Sequence, residues 1–446
     1  MGRLSCWLFV CAGLFFTAAF TAPAIGATAA NPIFGSNTVL QRGTTVPVFG
    51  TATAGTAVSV QFQNQNKTVN ADANGRWRVN LDSMPASSAP SSMTITSAGS
   101  PQIVFTGVQV GEVWLFSGQS NMDMAMNEAD ESAPYIADAP NRNIRLFLMK
   151  AGNGPATASW QPANTTTAAA FSAVGYWTGL ELSKKLNVPV GLIQATHDGT
   201  NISEWQTTNG GDGSDYLAMV KSIQPFAVKG VAWYQGESNG GDAAYETKLT
   251  AMIGEWRTDW GQGALPFGIV QLPASKWATA RVAQFNVSMN VVDTFLVVTS
   301  DLPGSSQLHP TAKKPIGLRM SIGARARVYG EEIPSGGPVR DPATTTVAGN
   351  KVTLGFTTTG IGLITNNGGA PATFQLATAT GRFQSATATI VAPNKIELTS
   401  SVAAPKRIRY LFSGTGNLFN SVNIPVEGGT ATVTRLPASI FEWTIP

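Results

Sequence analysis

Two textures of hydrophobic and polar positions alternate along the chain. From Asn31 to about Thr106, apolar residues recur at every second position in short runs, as in Val46–Phe49, Ala57–Phe62 and Trp77–Leu81, with turn residues such as Asn74-Gly75 between them. That period belongs to strands with one buried face, and it predicts a small antiparallel β-domain. The Ser/Pro/Ala stretch Pro85–Ser92 reads as a loop inside it.

From Val108 to about Gly330 the apolar runs become continuous: Glu112–Phe116, Val190–Ala195, Gly230–Tyr234, Phe267–Leu272 and Thr294–Thr299. Stretches of helical period fall among them at Val174–Leu186, Tyr245–Trp260 and Lys314–Tyr329. Strands without alternation, separated by helices, predict a parallel sheet covered on both faces. In such a sheet ligands bind beyond the carboxyl ends of the strands. After Glu332 the alternation returns, as in Lys351–Phe356 and Arg407–Phe412. The expected order is a β-domain over residues 28–106, an α/β domain over 107–331 and a second β-domain over 332–446, with the two β segments not copies of each other.

Composition narrows the function. The 446 residues are 43% apolar and 12% charged with a net charge of +3, as expected for a folded chain of two or three domains. No basic patch interleaved with aromatics appears, so nucleic acid is not an expected partner. Arg3, the apolar stretch Leu8–Phe20 and the small residues Ala24–Ala27 read as a cleaved export signal over residues 1–27. Its apolar stretch is short for a span of about 20 residues and is broken by Pro23 and Gly26. A secreted or periplasmic protein with no membrane span in its mature form is expected. Cys6 and Cys11 both lie in that signal, which leaves no thiol chemistry and no disulfide. With two histidines, His197 and His309, and no His-x-x-x-His spacing, neither a metal nor another cofactor is expected.

Four polar segments follow predicted strands of the middle domain. In Ser117–Met122, Ser120 stands between a strand and a helix, where backbone N–H groups favour developing negative charge. On position alone a helix cap is the simpler reading. The Gly-x-Ser-x-Gly elbow is absent, because Met122 replaces its second glycine. In Thr196–Trp205, Gly199 can bring a backbone N–H close to an oxyanion or simply make a turn. His197 and Asp198, adjacent on an extended segment, point to opposite faces and are poorly placed to serve each other. In Trp233–Asn239, Gln235 offers an amide N–H and Glu237 can orient a neighbour or act as an acid; the alternative is a polar loop capping the next helix. In Asp301–Pro310, His309 lies at the ligand end of the sheet and can serve as base near neutral pH.

In this order, Gly-Gln-Ser-Asn-Met, Gly-Thr-x-x-x-x-Trp, Trp-Tyr-Gln-Gly-Glu-Ser-Asn and the late His-Pro resemble the sialate O-acetylesterase family, a branch of the SGNH/GDSL hydrolases. The likeness extends from Asn31–Phe34 and Val39–Arg42 to Leu436–Phe441, nearly all of the mature chain. The resemblance implies a flavodoxin-like central domain of SGNH type with accessory β-domains. It implies Ser120 as nucleophile, His309 as base, and an oxyanion hole from the Ser120 and Gly199 N–H groups with the Gln235 amide. The aspartate usual three residues before the histidine is replaced by Ser306, so the imidazole is left to a backbone carbonyl or to Asp301 folding back. Asp198 and Asn201 also replace a glycine and a proline of the second motif, and Asn201-Ile202-Ser203 fits a glycosylation acceptor that would block the site.

The function so implied is removal of O-acetyl groups from a carbohydrate through an acetyl-serine intermediate. Gln119, Asn121, Trp205, Trp233, Tyr234 and Glu237 are candidates for the substrate pocket, the aromatics being equally readable as core. A sialate's carboxylate would call for an arginine, with Arg281, Arg319 and Arg325 as candidates. Acetylated xylan or another plant polysaccharide is the alternative substrate. A catalytically silent carbohydrate-binding surface protein is the alternative from another class.

Overall fold

The structure, a computed structural model, describes residues 26–273 and 275–445. Arg3, Cys6, Cys11 and the apolar stretch Leu8–Phe20 lie outside the described residues. Among those described, no helix is long and apolar enough to cross a membrane.

The centre is a sheet of six long strands: β1 (Ile103–Gly118), β2 (Ile144–Lys150), β3 (Val190–Thr196), β4 (Gly230–Tyr234), β5 (Phe267–Val270) and β6 (Thr294–Val297). They lie in the order β2-β3-β1-β4-β5-β6, each neighbouring pair parallel, with the short strand Gln161–Pro162 antiparallel on the β2 edge. A flavodoxin-like sheet has the order 2-1-3-4-5, so the complete order departs from that expectation while the α/β class holds. Strand β2 was not anticipated from the pattern.

Strand β1 joins two domains. Residues 103–107 alternate between half-buried and exposed, and residues 108–118 are buried without interruption. The first part pairs antiparallel with Ser87–Ser97 of the N-terminal β-domain, and the second is the middle of the parallel sheet. The expected boundary between residues 106 and 107 thus falls inside one strand. Pro85–Ser92 is also not wholly a loop, because residues 87–92 open the strand Ser87–Ser97. Register shifts between Ser87 and Ser91 and between Ser91 and Met93 let this exposed, small-residue stretch pair irregularly.

Besides the single turn α1 (Ser120–Asp123), the main helices are α2 (Ala173–Leu186), α3 (Tyr245–Trp260), α4 (Ala278–Asn290) and α5 (Lys314–Arg327). Ser172 caps α2 by accepting the Gly175 N–H at 3.1 Å, and Asn187 at φ 53° ends it in the left-handed conformation. Helix α5 packs tightly on α2. A side chain at Gly317 would stand 2.6 Å from Trp177 Cβ, so only glycine permits the approach. This contact accompanies the return of the loop 298–313 from the edge strand β6 to Ser120 beside the central strand.

The C-terminal strands form three small sheets around Val352, Leu354, Ile396, Leu398 and Ile408, a core that also takes Phe285 of α4. A second cluster of Ile424, Val426 and Leu436 packs on Ile322 of α5. The C-terminal domain therefore buttresses both helices on the β5–β6 side.

Candidate active site

Ser120 is reached through a backbone conformation that only glycine tolerates. Gly118 has φ +138°, and a Cβ there would lie 2.1 Å from the Tyr234 carbonyl oxygen. Its own carbonyl accepts the His197 N–H at 3.1 Å, and the Gln119 N–H donates to Tyr234 at 3.1 Å. The ends of β1, β3 and β4 are thereby drawn together around one point.

There His309 Nε2 lies 2.7 Å from Ser120 Oγ, joining residues 189 positions apart. Ser120 does not cap its helix: Gln119 is the N-cap, without a side-chain bond, and Ser120 is the first helical residue. Its N–H has no acceptor among the described residues, and neither has that of Gly199, which sits at φ +74° on the exposed turn after β3. Both donors are therefore unpaired among the described residues.

Gln235 does not supply a third. It is fully buried, and its Nε2 faces Gln119 Oε1 at 3.1 Å, the Thr200 carbonyl at 3.1 Å and Asn239 Oδ1 at 2.8 Å. Its Oε1 accepts from Tyr245. An amide with two N–H groups among three protein acceptors has none left for an oxyanion.

Neither Asp301 nor Ser306 nor a backbone carbonyl is hydrogen-bonded to the His309 ring among the described residues. Asp301 is held by Arg319 in a two-pronged pair, 2.7 Å at each oxygen, and Ser306 is exposed with no hydrogen bond among the described residues. The other histidine has its own acid. His197 Nδ1 meets the Asp215 oxygens at 2.9 and 3.0 Å, while adjacent Asp198 points elsewhere, exposed. Partial burial and the Asp123 carboxylate hold Asp198 above its ordinary carboxylate range, with Lys150, His309 and His197 pulling it down. His197, Glu204 and Asp215 bring three ligand atoms within 4.8 Å of one another, but Glu204 also closes a capping box on the Asn201 N–H. The Asn201 side-chain amide belongs to that same box, accepting from the Ser203 N–H and donating to Glu204.

The aromatic pocket candidates are core. Trp205, Trp233 and Tyr234 are completely buried, and Trp205 and Trp256 both meet Trp233 edge to face at 5.6 and 5.8 Å. Gln119 and Asn121, 3% and 1% exposed, lie beneath Ser120 and His309 and do not line a pocket.

Beneath Ser120 and His309 is also a charged group the sequence reading missed. Lys313 is fully buried and donates to Asn121 Oδ1, with its ammonium 5.3 Å over the Tyr234 ring. Asn121 Nδ2 donates to Glu237 Oε1 and to the Leu308 carbonyl, the latter at 2.9 Å. Burial pushes Lys313 down to about 7, and it raises Glu237 above its ordinary value. The only sequence signal for Lys313 was its place four residues after His309, at the mouth of a helix.

Of the three arginines proposed for a carboxylate, two are held by acidic partners and the third is buried with its Nε and Nη2 unpaired among the described residues. Arg319 holds Asp301, Arg325 pairs with Glu331 and the Pro425 carbonyl, and Arg281 is buried against the C-terminal domain near Leu411.

Known proteins resemble this chain in sequence and fold. Residues 110–323 match the family described as carbohydrate esterase, sialic acid-specific acetylesterase. The chain is 26% identical over 357 residues to the sialate O-acetylesterase of Homo sapiens, covering 64% of this chain and 68% of that one. The Rattus norvegicus sialate O-acetylesterase is 24% identical over 387 residues, covering 64% of this chain and 70% of its own length. The crystal structure of a carbohydrate acetylesterase from Xanthomonas citri superimposes with a TM-score of 0.81 at 31% identity, over 94% of this chain and 99% of that one.

Proposed function

The chain belongs to the sialic acid-specific acetylesterase family of carbohydrate esterases, and on that premise we propose that it removes acetyl groups from a sugar by way of an acetyl-Ser120 intermediate. The observation that carries the proposal is the 2.7 Å contact between His309 Nε2 and Ser120 Oγ. His309 takes the hydroxyl proton as Ser120 attacks the acetyl carbonyl. The N–H groups of Ser120 and Gly199 receive the oxyanion, each such donor being worth about 10²–10³ in rate. Collapse returns the proton from His309 to the departing sugar hydroxyl. Water, deprotonated by His309, then releases acetate and restores the serine.

The central sheet is read as a flavodoxin-like sheet with one added strand. Without β2, the remaining five lie in the order β3-β1-β4-β5-β6, which renumbered along the chain is 2-1-3-4-5. Export by the signal at residues 1–27 would place the reaction outside the cytoplasm, and N-terminal sequencing of secreted protein tests that.

A second reading of the substrate is favoured by one observation: Arg319 and Arg325 are paired within the fold and Arg281 is buried against the C-terminal strands, so none of the three is exposed to a ligand. A neutral acetylated sugar, as in acetylxylan, needs no such cation. Ser120→Ala should abolish acetate release while the circular dichroism spectrum stays that of the wild type. Full activity in that variant would remove Ser120 as nucleophile, whereas glycan binding without acetate release by the wild type would support a non-catalytic carbohydrate-binding role. Acetate release compared over O-acetylated sialic acid, acetylated xylan and acetylated pectin separates the substrates.

A further inference from the structure

A histidine base works only when its ring is held in one orientation, and loss of the acid that does this in a full triad lowers kcat by about 10⁴. Here His309 is exposed, and its Nδ1 has no hydrogen-bond partner among the described residues. Asp301 belongs to Arg319. The ring must therefore take its direction from the loop that carries it.

That loop is gripped from below by one side chain. Asn121, the residue after Ser120, donates through Nδ2 to the carbonyl of Leu308, immediately before His309. Through Oδ1 it accepts from Lys313, four residues after His309. The other Nδ2 hydrogen goes to Glu237 Oε1 at the end of β4. Two donors meet two acceptors and the one acceptor meets a cation, so the amide has a single orientation. A flip would set Oδ1 against the Leu308 carbonyl and the Glu237 carboxylate. The grip is dry: Asn121 is 1% exposed, Lys313 fully buried, and Glu237 Oε2 is out of reach of water.

We infer that Asn121, with its orientation fixed by Glu237 and Lys313, is a positioning residue that fastens the His309 loop to the nucleophile turn and replaces the missing triad acid. The inference rests on the roles proposed above for Ser120 and His309. Because Asn121 neighbours the nucleophile and its two loop contacts bracket the base, it couples the positions of both reacting groups. The low value to which burial brings Lys313 is consistent with a cation retained for its place rather than for stability.

The test compares Asn121→Asp and Lys313→Met with the wild type on a soluble acetate ester. Asn121→Asp keeps the acceptor for Lys313 and loses the donors to Leu308 and Glu237. Lys313→Met removes the opposite grip and lowers stability, because Asn121 Oδ1 loses its donor and Glu237 its nearby cation, so kcat is expressed per folded molecule. Each should lower kcat by about 10- to 100-fold with KM changed less than about threefold, since misplacement by an ångström costs about 10²-fold. The chain's two histidines give separable imidazole proton resonances, assigned through His197→Asn. In both variants the His309 resonance should shift or broaden while that of His197 stays. Unchanged kcat per folded molecule in Lys313→Met overturns the inference, even if Asn121→Asp does not fold. Ser120→Ala and His309→Ala are measured alongside. If they abolish activity and the other two do not, the positioning role alone falls; if they retain it, the catalytic reading falls first.

Discussion

Arg319 holds both oxygens of Asp301 at 2.7 Å, in a pair whose members are 12% and 11% exposed. A carboxylate so engaged is a structural partner of α5, although it stands at the ligand end of the sheet where a triad acid would be sought. Asp301→Asn should therefore lower stability by about 3 kcal/mol, the order of cost for breaking a largely buried pair. Activity per folded molecule should fall less than about tenfold. A loss approaching 10⁴ in kcat, the mark of a triad acid, would show that Asp301 serves His309 in the working enzyme. Urea unfolding together with kcat measured at saturating substrate distinguishes these outcomes.

Gln235 gives the opposite contrast between family expectation and position. Its amide is enclosed by Gln119, Thr200 and Asn239, three acceptors that lose a donor if it is replaced. Gln235→Met should cost about 1–3 kcal/mol in unfolding free energy for the acceptors left unpaired. An oxyanion donor would instead cost about 10²–10³ in kcat at unchanged stability, and that result would return Gln235 to the site.

The sequence was most readable where one physical demand acted alone. Continuous apolar runs marked the buried half of β1 and most of β3, β4, β5 and β6, and helical period placed Tyr245–Trp260 to the residue. Ile144–Lys150 was passed over because three of its seven residues are only half-buried, which blurs a core strand's texture. Helix α4 was passed over too. Ser120 and His309 were identified by residue type at strand ends, and the structure brings them together. Trp233 and Gln235 drew attention for the same reason, yet their side chains point inward. A strand's period says which positions are buried; it does not say which polar residue past its end turns back under the site. Lys313 illustrates this, since lysine at the start of a helix normally lies in water and here is buried against Asn121, the residue after Ser120.

Gly118→Ala should abolish folding into the active form. A methyl group 2.1 Å from the Tyr234 carbonyl oxygen, at φ +138°, cannot be relieved by a side-chain movement, because the obstacle is the neighbouring strand's backbone. Gly199→Ala meets open space and carries only the strain of φ +74°, on the order of 1 kcal/mol. It keeps its N–H, so the protein should fold and retain most of its activity. Soluble yield and acetate release for the two variants side by side test the contrast, and an active Gly118→Ala would refute it.

Glu237 makes stability depend on pH in a direction that can be stated. Burial raises it above its ordinary value, the hydrogen bond from Asn121 and the nearby Lys313 opposing. Tyr234, itself pushed up by burial and by Glu237, also faces it. A carboxyl raised in the folded state binds its proton more tightly there than in the unfolded chain. Its favourable contribution is complete below the unfolded value near 4.5 and is lost as pH rises through the folded value. Glu237→Gln keeps an acceptor for Asn121 and does not titrate. Unfolding midpoints from pH 4 upward should fall for the wild type relative to Glu237→Gln, and the difference should level off once the carboxyl is ionised in both states. Parallel curves would mean that Glu237 titrates alike in the folded and unfolded chain, with Lys313 offsetting the whole effect of burial.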